Sequence, residues 1–241
     1  MGWLDEGLEF LKGAFKTPVE LVGAKKFSTE TFAEIKTIDP LKDTFSVTTL
    51  AALRDLINCN AEKLTEAAIP LIHIVNHAEV RLEVGLSDVE GRRQVFAKAS
   101  PVPYDGFKFN AYHSVENFVI AIQAHFALTP DRDYLLKTAS RVTDEGVTVA
   151  EDDGISQRVT VNAALALKTA ETLKSRVSLR PFRIFPEVEQ PESEFIFRAK
   201  KSDQGVLLAL HEADGGKWKV RAIENIAWHL RNLEIKLPII S

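Results

Sequence analysis

The stretch that decides the fold reads Val177-Ser-Leu-Arg-Pro-Phe-Arg-Ile-Phe-Pro-Glu-Val-Glu-Gln-Pro191, then Glu194-Phe-Ile-Phe-Arg198, then Val206-Leu-Leu-Ala-Leu-His-Glu-Ala-Asp-Gly-Gly-Lys-Trp218. Pro181, Pro186 and Pro191 fix φ and bias the residue before each toward extended backbone, so the first piece is a turn-like link. Glu194 to Arg198 and Gly205 to Glu212 then read as strands. On the first of them Phe195 and Phe197 point one way while Ile196 and Arg198 point the other. Gly215-Gly216 supplies the turn that releases the chain into a helix built on Trp218, Ile223, Ile226, Ala227 and Leu230. The whole is a ββα unit.

Working back toward the N-terminus, Trp3, Leu4, Leu8, Leu11 and Phe15 fall at helical spacing opposite Asp5, Glu6 and Glu9, which predicts a short amphipathic helix ended before Pro18. Val19–Val22 and Lys25–Phe27 predict a hairpin across Gly23-Ala24, followed by a helical turn capped at Ser28 or Thr29, through Ile35. Asp39 to Ser46 reads as a linker. A helix capped by Thr48 or Thr49 runs from Leu50 to Asn58. The period then changes to short runs at Leu71–Val75, Glu79–Leu86 and Gln94–Ser100, an antiparallel meander. Ser114 caps a helix carrying Val115, Phe118, Val119, Ile122 and Phe126, and a second helix covers Asp131 to Ala139. Val147–Ala150 and Ile155–Val161 form a hairpin across an acidic turn, and Ala163 to Leu173 is ambiguous between helix and strand. Segregated rather than alternating elements predict an α+β fold, a mostly antiparallel sheet with packed helices and an N-terminal helix and hairpin extension. A Rossmann-like parallel sheet is the alternative. The expected division is 1–46 for the extension and linker and 47–241 for the core.

A chain of 241 residues can bury about 70–75% of its unfolded surface, so it needs no disulfide or metal staple. No apolar run approaches the ~18 residues of a membrane span. The acidic N-terminus is unlike a secretory signal, and the single Cys59 suits a reducing compartment, which together predict a cytoplasmic protein. Cys59 itself is expected as a small buried hydrophobe. The net charge of −4 disfavours a protein devoted to coating duplex phosphates. The charge is uneven, however: Asp144 to Asp153 holds five acidic and no basic residues, and Arg176 to Lys201 six basic against four acidic.

The familiar chemistries fail on spacing. Glu151-Asp152-Asp153-Gly154 lacks the alternating oxygen ligands and closing glutamate of a calcium loop. His73 and His77 lie in a strand and its turn rather than on one helical face, and His211-Glu212 lacks a zincin's second histidine. Gly216-Lys217 resembles the end of a phosphate loop, but His211 stands at the first glycine and Trp218 at the magnesium hydroxyl. No nucleophile elbow, dinucleotide fingerprint or cysteine–histidine pair can be assembled. No metal, cofactor or catalytic residue is therefore assigned.

Two surfaces remain. Arg180, Phe182, Arg183, Phe185 and Arg198 interleave guanidinium groups with rings, the composition of a stacking surface for single strands, although core packing of the aromatics accounts for it too. Trp3, Leu4, Leu8, Leu11 and Phe15 at one end and Ile235, Leu237 and Ile239 at the other form apolar termini, sheltered on their own domain or on a neighbouring subunit as a docked helix and edge strand. Pro238 hints at an edge position for the second.

Glu151-Asp-Asp-Gly-Ile-Ser-Gln-Arg-Val-Thr-Val161, Leu179-Arg-Pro-Phe-Arg-Ile-Phe-Pro-Glu-Val-Glu-Gln-Pro-Glu-Ser-Glu-Phe-Ile-Phe-Arg198 and Glu212-Ala-Asp-Gly-Gly-Lys-Trp218 together resemble the YfdQ-type family of bacteriophage and prophage proteins. Gly2-Trp-Leu-Asp-Glu6 and the helix near Leu50 are similar too. The resemblance implies a phage or prophage gene expressed in the bacterial cytoplasm, and it carries no catalytic residue. The resulting expectation is a non-enzymatic phage protein that self-assembles into a homo-oligomer through its apolar termini. An accessory single-stranded nucleic-acid-binding protein of phage replication or recombination is the alternative, and an enzyme with a dispersed site the third reading.

Overall fold

Side-chain periodicity is converted into two cores in the computed structural model, which describes residues 19–22, 25–28, 43–59, 70–85, 93–102, 106–142, 148–152, 157–163, 166–203 and 205–241. The chain falls into two compact units, 1–42 with 86–92, and 43–85 with 93–241. In the first, β1 (Val19–Val22) and β2 (Lys25–Ser28) pair antiparallel, the predicted hairpin. The helix proposed for Trp3 to Phe15 and the turn through Ile35 lie outside the described residues.

The second unit opens with β3 (Phe45–Val47) and α1 (Leu50–Cys59). The expected linker thus ends in a strand, because Phe45 and Val47 pair with Ala97 and Ala99 rather than remaining free. The meander follows as β4 (Leu71–Asn76), β5 (Glu79–Gly85) and β6 (Arg93–Ala99). After a short strand β7 (Tyr112–Ser114) come helices α2 (Val115–His125) and α3 (Pro130–Val142). β8 (Thr148–Asp152), β9 (Gln157–Ala163) and β10 (Ala166–Leu173) make a three-stranded antiparallel sheet, settling the ambiguous stretch as strand. The decisive segment supplies β11 (Arg176–Leu179), β12 (Ser193–Ser202), β13 (Gly205–Glu212) and α4 (Lys217–Asn232), and β14 (Ile239–Ile240) follows.

The order β14-β4-β5-β6-β3 forms one sheet and β11-β12-β13-β7 another. The predicted α+β class with mostly antiparallel pairing holds. Only the two outer strands of the five-stranded sheet, β3 and β14, run parallel to their neighbours.

One core lies between the five-stranded sheet, α1 and α4. Ile72, Ile74, Val80 and Leu82 meet Leu50, Leu53, Ile226 and Leu230 there. The other lies between the four-stranded sheet, α2 and α3, where Phe195 and Phe197 are buried as their alternation predicts. Phe118 packs on Phe197 and Phe109 stacks on Phe195 at 5.0 Å between ring centres. Full burial of each such ring is worth about 2–3 kcal/mol.

The Pro181 to Pro191 link belongs to both cores. Pro181 bridges to Phe126 beside the second, while Ile184, Phe185 and Val188 are buried in the first. Its Glu187 carboxylate accepts the amide protons of Leu50 (2.5 Å) and Ala51 (3.0 Å), capping α1 from far along the chain. Thr49 Oγ1 caps locally by accepting from Ala52 N. A negative charge at a helix N-terminus is the favourable sign.

The outer edge of β11 is closed by α3. Asp131 accepts from the Ser178 amide at 2.7 Å and pairs with Lys174 at 2.6 Å, and Tyr134 Oη accepts from the Lys174 amide at 2.8 Å. An edge strand so capped does not invite a further strand. Cys59 departs from expectation: it is exposed at the last turn of α1, its thiol bonded to Leu56 O, because the buried stripe of that helix is Leu50 and Leu53.

Candidate functional site

Alternation along β12 buries Phe195, Phe197 and Ala199 and turns Glu194, Ile196, Arg198 and Lys200 outward. Strand register extends this into rows across the outward face. Arg176 lies beside Ile196 and His211, Arg198 beside Ala209 and Tyr112, and Lys200 beside Leu207 and Ser114. Tyr112 is 43% exposed, while Ala209 is fully buried. Ala209 is not part of the aromatic core. The Lys200 ammonium lies 5.8 Å from the centre of the Tyr112 ring, and His211 meets that ring edge-on at 6.2 Å. Arg176 pairs with Glu194 at 3.3 Å with both side chains largely in water, a weak interaction.

At the β12 start this face runs into a groove of about 350 Å³ lined by Ser178, Glu192, Glu194, Asp214, Lys217 and Arg221. The Ser178 hydroxyl and the Glu192 carboxylate hydrogen-bond across its floor. A second hollow, about 400 Å³, continues past Arg180 and Asp131 to Leu128. Gly215 and Gly216 both adopt positive φ, the turn the sequence predicts. The start of α4 is capped by Asp214, whose carboxylate accepts from Gly216 N and Trp218 N.

The sequence-selected guanidinium and ring set is split up by the fold. Phe185 is fully buried, so its ring is not offered to a base, whereas Phe182 is 40% exposed. Arg180 reaches Glu189 (2.9 Å) and Glu192 (3.7 Å) on the groove side. Arg198 stands on the outward face. Arg183 is a clamp: its side chain, only 8% exposed, pairs with Glu212 at 2.6 Å, hydrogen-bonds Ser193 Oγ, and lies 3.7 Å above the Trp218 ring. Of the apolar set, Ile235, Leu237 and Ile239 are partly buried against the first core of their own chain, while Trp3, Leu4, Leu8, Leu11 and Phe15 lie outside the described residues. Tyr112 and His211, which complete the outward rows, were invisible to local reading because the pairing of β13 with β12 and of β7 with β13 brings them there.

His73 and His77 do not converge. His73 Nδ1 lies in hydrogen-bond contact with the Glu83 carboxylate at 2.9 Å, within a charged strip where Arg81 and Lys98 both bind Glu79. Burial raises the Glu79 pKa, but the hydrogen bonds from Lys98 and Arg81 outweigh it and hold the carboxyl below its ordinary value. His77 packs edge-on against Trp218 at 4.8 Å. Its pKa is lowered by burial first, then by Lys219 and Arg183. The unfolded chain therefore takes up the proton more readily. The stabilisation is complete above the unfolded value near 6.5 and is lost as pH falls below it toward the folded value. Denaturant midpoints at pH 7.5 and 5.5 should thus drop more for the wild type than for His77→Gln; parallel drops would refute this.

Among the described residues no group of three or more His, Cys, Asp or Glu is gathered to hold a metal ion, and no helix is long and apolar enough to cross a membrane. Comparison with protein-family models, with curated proteins and with solved structures returned no match for this chain.

Proposed function

We propose that this protein is an accessory single-stranded nucleic-acid-binding protein, and that the outward face of the four-stranded sheet is its platform. The observation that supports this reading is the set of rows in which Arg176, Arg198 and Lys200 flank Tyr112 and His211 on the face turned away from the aromatic core. An exposed ring offers every base a stacking partner, and cations beside it track the sugar–phosphate backbone. Lys217 and Arg221 stand in the groove at the end of this face, beside the carboxylates of Glu192, Glu194 and Asp214. An acidic chain overall with a local cationic face suits a strand held at one site better than a duplex coated along its length. With the resemblance to phage and prophage proteins, the proposal extends to an accessory role in the replication or recombination of phage DNA in a bacterial cytoplasm. The platform reading sets a binding role beside the expectation of self-assembly, whose C-terminal residues Ile235, Leu237 and Ile239 are partly buried on their own chain.

Fluorescence anisotropy with a labelled oligonucleotide at low salt tests the platform. Single strands should bind more tightly than the matching duplex. Tyr112→Ala should weaken binding about 5- to 100-fold, the range for losing one stacked base. Arg176→Glu with Lys200→Glu should weaken it further and flatten the salt dependence. No retention of the oligonucleotide at low salt, or equal binding by these variants, would overturn the reading. Arg183→Ala is the wrong probe, since that residue holds the fold together.

A further inference from the structure

The segment after α4 is joined to it in an unusual way. Glu234 adopts φ 57° directly after the helix, a left-handed conformation disfavoured for a side chain bearing a Cβ. Residues 238–240 then lie along β4, with Ile239 opposite Ile72, Ile240 opposite His73, and Pro238 O accepting from Ile72 N at 2.8 Å. The attachment is slight: β14 is two residues long, and Ile235, Leu237 and Ile239 are only partly buried. Six residues before Glu234, Trp228 is 66% exposed on α4. Six helical residues span about 9 Å, so a large unpaired ring stands close to a strained hinge. Tryptophan, with tyrosine and arginine, is enriched among the residues that dominate protein–protein contacts.

We propose that residues 235–241 are exchanged between two copies of this chain, each laying its Ile239–Ile240 strand on the β4 edge of the other. The exchanged strand keeps every contact it makes within one chain, so the exchange itself is neutral in contacts. Two features tip it. Extending the chain at Glu234 releases the left-handed conformation in both copies. Six residues from Leu233 to Ile239 reach at most about 20 Å, so the two α4 ends must approach each other, and the Trp228 rings gain a partner. The pairing is isologous and closes as a dimer. This inference does not rest on the nucleic-acid platform, which lies on the other sheet.

The test uses the full chain. His73→Cys with Ile240→Cys, in a Cys59→Ser background, places a thiol pair at facing positions on β4 and β14. After mild oxidation over a range of protein concentrations, a non-reducing gel should show an interchain disulfide dimer whose share grows with concentration. Light scattering on the unmodified protein should show the same concentration-dependent doubling of mass. Trp228→Glu and Glu234→Gly, both surface changes, should each raise the dimer dissociation constant about tenfold or more, equivalent to ~1.4 kcal/mol. A monomer at every concentration overturns the proposal, and so does a dimer that yields intrachain disulfide alone.

Discussion

Replacing Gln190 with leucine is expected to cost about 3 kcal/mol or more of stability, although the residue touches no ligand surface. Its side-chain amide is buried and fully used. Oε1 accepts from Arg183 N (3.0 Å) and Ile184 N (3.3 Å), while Nε2 donates to Phe185 O (3.1 Å) and Val188 O (3.0 Å). A leucine fills much of the volume but leaves four backbone groups without these partners, at about 1–3 kcal/mol for each one that water cannot reach. Chemical denaturation followed by circular dichroism measures the loss, and a change under ~1 kcal/mol would sink the argument. Gln190→Glu sharpens the test: a carboxylate still accepts the two amide protons but opposes the two carbonyls. Its penalty should grow as pH rises through the carboxyl range.

The second large effect is expected at Arg183. Arg183→Met keeps the aliphatic stem yet removes the ion pair to Glu212, the hydrogen bond to Ser193 and the guanidinium over Trp218. Breaking a buried pair costs about 3–5 kcal/mol, but Glu212 is 38% exposed and water can take over part of its charge. A loss of about 2–3 kcal/mol follows. Arg183→Lys should recover little, because an ammonium cannot both fork to two oxygens and lie flat on an indole. A double-mutant cycle with Glu212→Gln isolates the pair, and a coupling near zero would show that the Ser193 hydrogen bond and the stacking on Trp218 carry the loss. Oligonucleotide binding per folded molecule should stay unchanged in Arg183→Met.

Periodicity carried much of the secondary structure. The meander, the Ser114 cap, which accepts from Asn117 N at 3.3 Å, and the Phe195/Phe197 alternation are local patterns, so one-dimensional reading finds them. Three kinds of feature escaped it. β3 is only three residues long, too short to show a period beside the polar stretch before it, whereas the edge position of β14 was expected from Ile235, Leu237, Ile239 and Pro238. Cys59 was assigned by residue type, whereas the burial of α1 is set by the facing of Leu50 and Leu53. The candidate platform was half legible. Arg198 and the basic bias near it stand in one segment, but Tyr112 joins the row through β7, nearly a hundred residues away in sequence. Conversely, Arg183 and Phe185 had the right composition for a binding face and were taken up by the interior.

The Glu187 carboxylate that finishes the first turn of α1 is separated from it by more than half the chain. During synthesis the Leu50–Cys59 segment leaves the ribosome long before Glu187 exists, and its leading amides must wait on solvent. The buried Ile184, Phe185 and Val188 reach the first core equally late. Non-local closure of this kind slows folding. A nascent chain halted before Pro181 should therefore expose its meander to chaperones, and the prolyl link would act as the latch whose arrival commits both halves at once.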